Sequence, residues 1–105
     1  MIHGFLKACT VSPALRVADC AFNTQQTIAA MQRAALDGAQ LAVFPELGLT
    51  GYTCGDLFFQ QPLQRAAAKG LAAVLEASAG LDLVALVGLP VAVDGKLYNL
   101  SLIHI

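Results

Sequence analysis

Glu46 has the clearest chemical use of any residue in this chain, and what precedes it supplies the reason. Residues 41–44 are a short, apolar, partly β-branched run, and Pro45 ends it because proline cannot donate to a β ladder. A carboxylate is thereby delivered to the C-terminal mouth of a buried strand, where layered α/β folds bind their ligands. Held against apolar neighbours, such a carboxyl is tuned toward proton abstraction, the work of a general base. The competing reading is structural, since a carboxylate just after a strand also caps the following turn. Tyr52 is read in two ways as well, as a hydroxyl in the substrate pocket or as a core tyrosine with one satisfied hydrogen bond. Gly48, Gly51 and Gly55 suit tight backbone turns around such a pocket. They form neither Gly-x-x-x-x-Gly-Lys nor Gly-x-Gly-x-x-Gly, so nucleotide phosphates are expected to bind outside this segment.

Strands and a helix must hold that carboxylate in place. Residues 5–11 suit a first strand, broken by Lys7 and Thr10 and closed by Ser12-Pro13, and residues 14–22 read as a loop. Asn23 is the expected N-cap, with Gln26 as its capping-box partner, and Ile28, Met31, Ala35 and Leu36 then recur at helical spacing until Gly38. Strand, helix, strand predicts a parallel pair with Glu46 beside the end of the first strand. Pro62 suits the first turn of a second helix running to about Ser78, with Leu63, Ala67, Leu71, Val74, Leu75 and Ser78 on one side. Gly70 inside it costs about 1 kcal/mol relative to alanine. Residues 83–89 are a third apolar run that Pro90 interrupts, Asp94-Gly95 is a hairpin turn signal, and Leu97 begins the return strand. With no internal repeat, low-complexity tract or linker, the chain reads as one incomplete α/β domain.

The block Phe44-Pro45-Glu46-Leu47-Gly48-Leu49-Thr50-Gly51-Tyr52-Thr53-Cys54-Gly55-Asp56-Leu57-Phe58-Phe59-Gln60 resembles the first catalytic motif of the nitrilase, or carbon-nitrogen hydrolase, superfamily. Within it the likeness is to the bacterial glutamine-dependent NAD synthetases. His3-Gly4-Phe5-Leu6-Lys7, Val17-Ala18-Asp19-Cys20-Ala21-Phe22-Asn23, Val87-Gly88-Leu89-Pro90 and Leu97-Tyr98-Asn99 resemble the same family, so the likeness spans residues 3–99. It implies an incomplete nitrilase-type α-β-β-α sandwich, where periodicity alone also fits a doubly wound sheet. It further implies a glutamate, lysine and cysteine triad that releases ammonia from glutamine, with Glu46 as the glutamate and Tyr52 at the substrate. In that family the lysine and the nucleophilic cysteine follow the segment resembling residues 96–99, so both are expected beyond this chain. Lys69 and Lys96 are accordingly read as solvated surface residues, and Cys54, inside the motif itself, as a small packing residue.

The family's amidase domain is more than twice this length, so residues 1–105 are expected to be its N-terminal fragment. The resemblance implies a second domain of the same full-length chain, which uses ATP and Mg to convert deamido-NAD to NAD, and a homo-oligomer when complete. Residues 100–105 depart from the family pattern and read as a non-native tail, with a divergent native strand as the alternative. A stand-alone nitrilase-family amidase and a non-catalytic interaction module are the rival readings of the whole.

Composition agrees with a partial domain. The chain is 57% hydrophobic and only 12% charged, about half the charge of an average protein, so some apolar surface is expected to lack its partner. A net charge of -1 without a Lys/Arg cluster argues against a nucleic-acid or anionic-membrane surface. No uncharged apolar run reaches the roughly 18 residues of a membrane helix, and the N-terminus is no signal peptide, so a cytoplasmic location is expected. Three cysteines in non-metal spacing fit reduced thiols, with Cys9 and Cys20 as packing residues. No metal site is expected, and His3 and His104, near the termini, are read as neither ligands nor bases.

Overall fold

The computed structural model describes residues 4–104, the last two by their backbone; His3 lies outside them, as does the side chain of His104. Along the chain run β1 (Ala8–Thr10), α1 (Cys20–Leu36), β2 (Leu41–Val43), a 3-10 turn (Gly55–Phe59), α2 (Gln61–Ser78), β3 (Val84–Val93) and β4 (Lys96–His104). The strands form one sheet in the order β1-β2-β3-β4, parallel through β3 and antiparallel between β3 and β4. The strand, helix, strand unit thus yields the expected parallel pair, with Thr10 beside Val43 just short of Glu46.

Register sorts the side chains onto two faces, because successive residues of a strand point to opposite sides. Cys9, Ala42 and Ala85 align on one face, continued by Val87, Leu89 and Leu102. Both helices cover it: Ala30 and Ala34 of α1 stand over Cys9 and Val11, and Leu71, Val74 and Ser78 of α2 over Ala85, Val87 and Leu102. Met31, Ala42, Ala67 and Leu89, each at most 1% exposed, anchor this core. On the other face Leu41, Val43, Val84 and Leu86 are half-buried, Ala8 and Thr10 are exposed, and neither helix lies over them.

α1 starts earlier than expected. Asp19, not Asn23, is its N-cap, accepting from the Phe22 N–H at 3.1 Å. Asn23 is fully buried and spends its amide elsewhere: Oδ1 accepts from Arg16 N–H (2.7 Å), and Nδ2 donates to the carbonyls of Arg16 (2.8 Å) and Leu49 (3.2 Å). Cys20 is therefore the first residue of the helix, not part of a loop. The buried stripe of α1 is Cys20, Asn23, Thr24, Thr27, Met31 and Ala34, while Leu36 is 88% exposed. Three polar residues in that stripe shift it away from the phase an apolar pattern selects.

Gly38 does end α1, at φ +82°, and α2 does begin at Gln61-Pro62 and end at Ser78. Gly70 is where α2 meets α1: a Cβ there would stand 2.3 Å from Thr24 Oγ1, so the glycine permits the close approach that offsets its intrinsic cost. Pro90 interrupts nothing, since β3 runs through it. The carbonyls of Leu86 and Gly88 face the β2 side, where they accept from Phe44 and Leu49, and Pro90 shares their parity. Its missing N–H thus points away from the β4 ladder, beyond the end of β2. Asp94 (φ +50°) and Gly95 (φ +75°) make the expected hairpin turn, in the left-handed conformation at both positions.

Candidate active site at the end of β2

β2 hands its last pairing to Phe44, whose N–H donates to the Leu86 carbonyl at 3.0 Å. The chain then folds back over the open face of the sheet. Gly48 N–H donates to the Pro45 carbonyl (3.1 Å), the Leu47 carbonyl accepts from the N–H groups of Thr50 (3.2 Å) and Gly51 (2.8 Å), and Thr50 Oγ1 donates to the Gly51 carbonyl (2.9 Å). Leu47 sits at φ +52°, a left-handed conformation unfavourable for a branched residue. Its buried side chain and its fully used carbonyl hold it there.

Beneath this turn lies Gly88 of β3. A Cβ on Gly88 would fall 2.6 Å from Leu47 N, 2.9 Å from the Pro45 carbonyl oxygen and 3.3 Å from the Glu46 carbonyl carbon, so only glycine lets the turn rest on the sheet. The Leu49 N–H closes the contact by donating to the Gly88 carbonyl at 3.2 Å. The backbone of Glu46 is thus fixed between two residues that are themselves fixed.

The Glu46 side chain is exposed, so the apolar surroundings expected for it are not built by the described residues. One polar group meets it: Asn99 Nδ2, on β4, donates to Glu46 Oε1 at 2.5 Å. Asn99 pairs across from Pro90, two residues beyond Gly88 and on the same face, so β3 supports the backbone of the carboxylate while β4 supports its side chain. Beside them Leu47, Phe58, Pro90, Leu97, Tyr98 and Asn99 line a shallow pocket of about 160 Å³. A larger concavity of about 420 Å³ lies at the opposite end of the strands, around Lys7, Gly38, Gln40 and Asp82. Lys7 spends its ammonium there on the Asp37 carbonyl, capping α1, so its size carries no chemistry comparable to the Glu46 turn.

Tyr52 is 65% exposed, outside both the core and the lining of the pocket beside Glu46, and its hydroxyl has no hydrogen-bond partner among the described residues. Gly51 (φ +87°) and Gly55 (φ +59°) take turn conformations, as expected. Cys54 is buried, its thiol donating to the Thr50 carbonyl at 3.2 Å, and that carbonyl also accepts from Ala18 N–H at 2.7 Å. The thiol therefore closes the motif loop on itself, while the Ala18 N–H ties that loop to the segment before α1. Burial pushes the Cys20 thiol up from the ordinary range, and neighbouring Cys54 and Asp19 add to the effect, which keeps Cys20 protonated and unreactive. Lys69 and Lys96 are exposed. Sequence reasoning missed Gly88 and Asn99 as site residues, although both stand in segments it had singled out. The usable signal was the tight two-residue turn at Asp94-Gly95, whose register sets Asn99 opposite Pro90, two residues from Gly88 on the same face.

The carbon-nitrogen hydrolase family matches residues 7–103. The glutamine-dependent NAD(+) synthetase of Mycobacterium tuberculosis (strain ATCC 25618 / H37Rv) is 33% identical over 101 residues, which cover 96% of this chain and 15% of that protein. Among solved structures, the glutamine-dependent NAD+ synthetase of Acinetobacter baumannii, in complex with adenosine diphosphate, superposes with a TM-score of 0.86 at 26% identity over 94% of this chain and 18% of that one. An amidase from Nesterenkonia sp. shares the fold with a TM-score of 0.65 at 24% identity, over 81% of this chain and 32% of its own. The sheet, the helices on one of its faces and the pinned Glu46 turn are a partial nitrilase-type fold, and this chain belongs to the carbon-nitrogen hydrolase family of enzymes.

Proposed function

We propose that this chain is part of the glutamine amidohydrolase domain of a glutamine-dependent NAD synthetase, and that Glu46 is its general base. The observation that carries this is the Glu46 turn: a carboxylate at the mouth of β2, seated on Gly88 and held by Asn99, inside the residues 7–103 that match the family. In the reaction, Glu46 accepts the proton of a cysteine thiol, the thiolate attacks the glutamine amide carbonyl, and a lysine steadies the developing oxyanion. Ammonia departs and water hydrolyses the resulting thioester. The resemblance assigns both the lysine and the cysteine to sequence other than these 105 residues, since Cys54 is tied into the motif loop. This chain by itself is then inactive, and the ammonia serves an ATP-dependent conversion of deamido-NAD to NAD, in the cytoplasm, in a homo-oligomer.

Nucleotide and magnesium are assigned to the synthetase domain. Among the described residues no group of His, Cys, Asp and Glu gathers as a metal ion would require, and the glycines of the motif support turns. Tyr52 is assigned to substrate contact, its exposed hydroxyl being free to meet a ligand or another part of the domain. The stand-alone amidase reading has less support, because superposition on the Nesterenkonia amidase is poorer than on the synthetases. No helix among the described residues is long and apolar enough to cross a membrane.

A chimera tests the proposal: this chain replaces the matching segment of the Mycobacterium tuberculosis synthetase, and NAD formation is followed with glutamine and, separately, with ammonium chloride. Glu46→Gln is expected to abolish glutamine-supported synthesis and leave ammonia-supported synthesis intact. Retention of glutamine use by that variant would refute the assignment. The isolated 105-residue chain is expected to release no ammonia from glutamine above a blank, and turnover abolished by Cys54→Ala would overturn the reading of that cysteine.

A further inference from the structure

A general base needs one oxygen free and aimed at the proton it takes. Glu46 has two oxygens, and Oε1 already accepts from Asn99 Nδ2. A carboxylate only accepts, so the amide must turn its nitrogen toward it, and the bond fixes the orientation of both groups. What remains is Oε2. An exposed glutamate with three rotatable side-chain bonds otherwise samples many rotamers. Here its backbone is held over Gly88 and its carboxyl by a residue of the adjoining strand, so the group is clamped at both ends.

The bond does little for stability, because Glu46 and Asn99 are both exposed and water competes for each. Its effect is on direction. We infer that Asn99 is a positioning residue: it holds Glu46 Oε1 so that Oε2 is the oxygen that takes the thiol proton. This rests on the reading of Glu46 as general base and names how that base is oriented.

The chimera described above separates the two. Asn99→Ala is expected to lower kcat with glutamine about 10- to 100-fold, the usual scale for a residue that orients a reacting group, with KM within about twofold and ammonia-supported synthesis unchanged. Asn99→Asp discriminates further. It keeps the shape of asparagine but replaces the donor with a second carboxylate, so at neutral pH it is expected to be worse than alanine. Activity should return as the pH falls, because two adjacent carboxyls share a proton and the protonated one donates. A merely structural role predicts the reverse order, with the isosteric aspartate milder than alanine and no such pH dependence.

The inference is overturned if Asn99→Ala leaves kcat within twofold, if Asn99→Asp is the milder variant, or if only KM rises, which would make Asn99 a substrate-binding group. Glu46→Gln keeps the readings distinct: glutamine use surviving it sinks the general base, whereas its loss alongside a silent Asn99→Ala sinks only the positioning role. Should the chimera fail even with ammonia, nuclear magnetic resonance of the ¹⁵N-labelled 105-residue chain decides between them. The Asn99 side-chain amide signal is expected to move as Glu46 is titrated with acid, and to stop moving in Glu46→Gln; a signal indifferent to both overturns the inference.

Discussion

The two faces of the sheet divide the work of this molecule. Under the helices, Met31, Ala42, Ala67, Val74, Val87 and Leu89 belong to one buried apolar cluster. On the open face Leu41, Val43, Val84 and Leu86 are only half-buried, and the candidate site there is built by a glycine that leaves room and two exposed polar groups that meet, Glu46 and Asn99. Stability comes from filling space on one side, and the site comes from leaving space on the other. Gly88 belongs to both accounts, because it stands in the strand whose odd-numbered neighbours build the core.

Truncating the covered face should do the most damage. Met31→Ala is expected to destabilise the chain by about 2–5 kcal/mol, the range for emptying a fully buried side chain, as read from urea unfolding. A smaller loss would mean that the core collapses around the gap and is looser than its burial implies. Gly88→Ala comes next, at about 1–3 kcal/mol, because the new Cβ forces the Pro45–Leu47 backbone off the strand. The same variant should shift the Glu46 amide resonance, whereas Met31→Ala should leave that signal nearly in place. If both variants move Glu46 equally, the two faces are coupled and the division fails.

Next in size is a pH effect. The Cys20 thiol is raised by burial, so the folded chain keeps its proton at a pH where the unfolded chain has lost it. Its contribution is present below the ordinary thiol pKa of about 8.5 and is lost as pH rises toward the folded value. Urea unfolding at pH 7 and pH 10 should show a decline that is smaller in Cys20→Ala. Smallest is Asn99→Ala, expected to change stability by less than about 0.5 kcal/mol, as an exposed polar contact should. A loss comparable to that of Met31→Ala would show the open face holding the fold together.

Much of this was legible in the sequence where a residue's backbone chemistry dictates its place. Pro62 opened α2, Gly38 closed α1, and Asp94-Gly95 turned the hairpin, each through a conformation few other residues take. Legibility failed where a polar side chain works inside the fold. Asn23 looked like a cap because asparagine usually caps, but its amide bridges two loops in the interior, and the helix moved its start to Asp19. Leu36 looked buried because it is apolar, yet Thr24 and Thr27 occupy the buried stripe instead. Pro90 looked like a break because parity across two strands is not written locally. The candidate site divides the same way. Glu46 was found from its own neighbours, whereas Gly88 and Asn99 gain their meaning only when β3 and β4 are laid beside the turn.

The strand order has one more consequence. Because β1, β2, β3 and β4 stand in the sheet in the sequence in which they leave the ribosome, each new strand can dock on the one made just before it, with no gap held open for a later arrival. The Glu46 loop is synthesised early but has no floor until Gly88 emerges, and no tether until Asn99 follows. The carboxylate is thus made before the residues that support it, so a nascent chain that stalls before β4 carries the acid without the Asn99 contact.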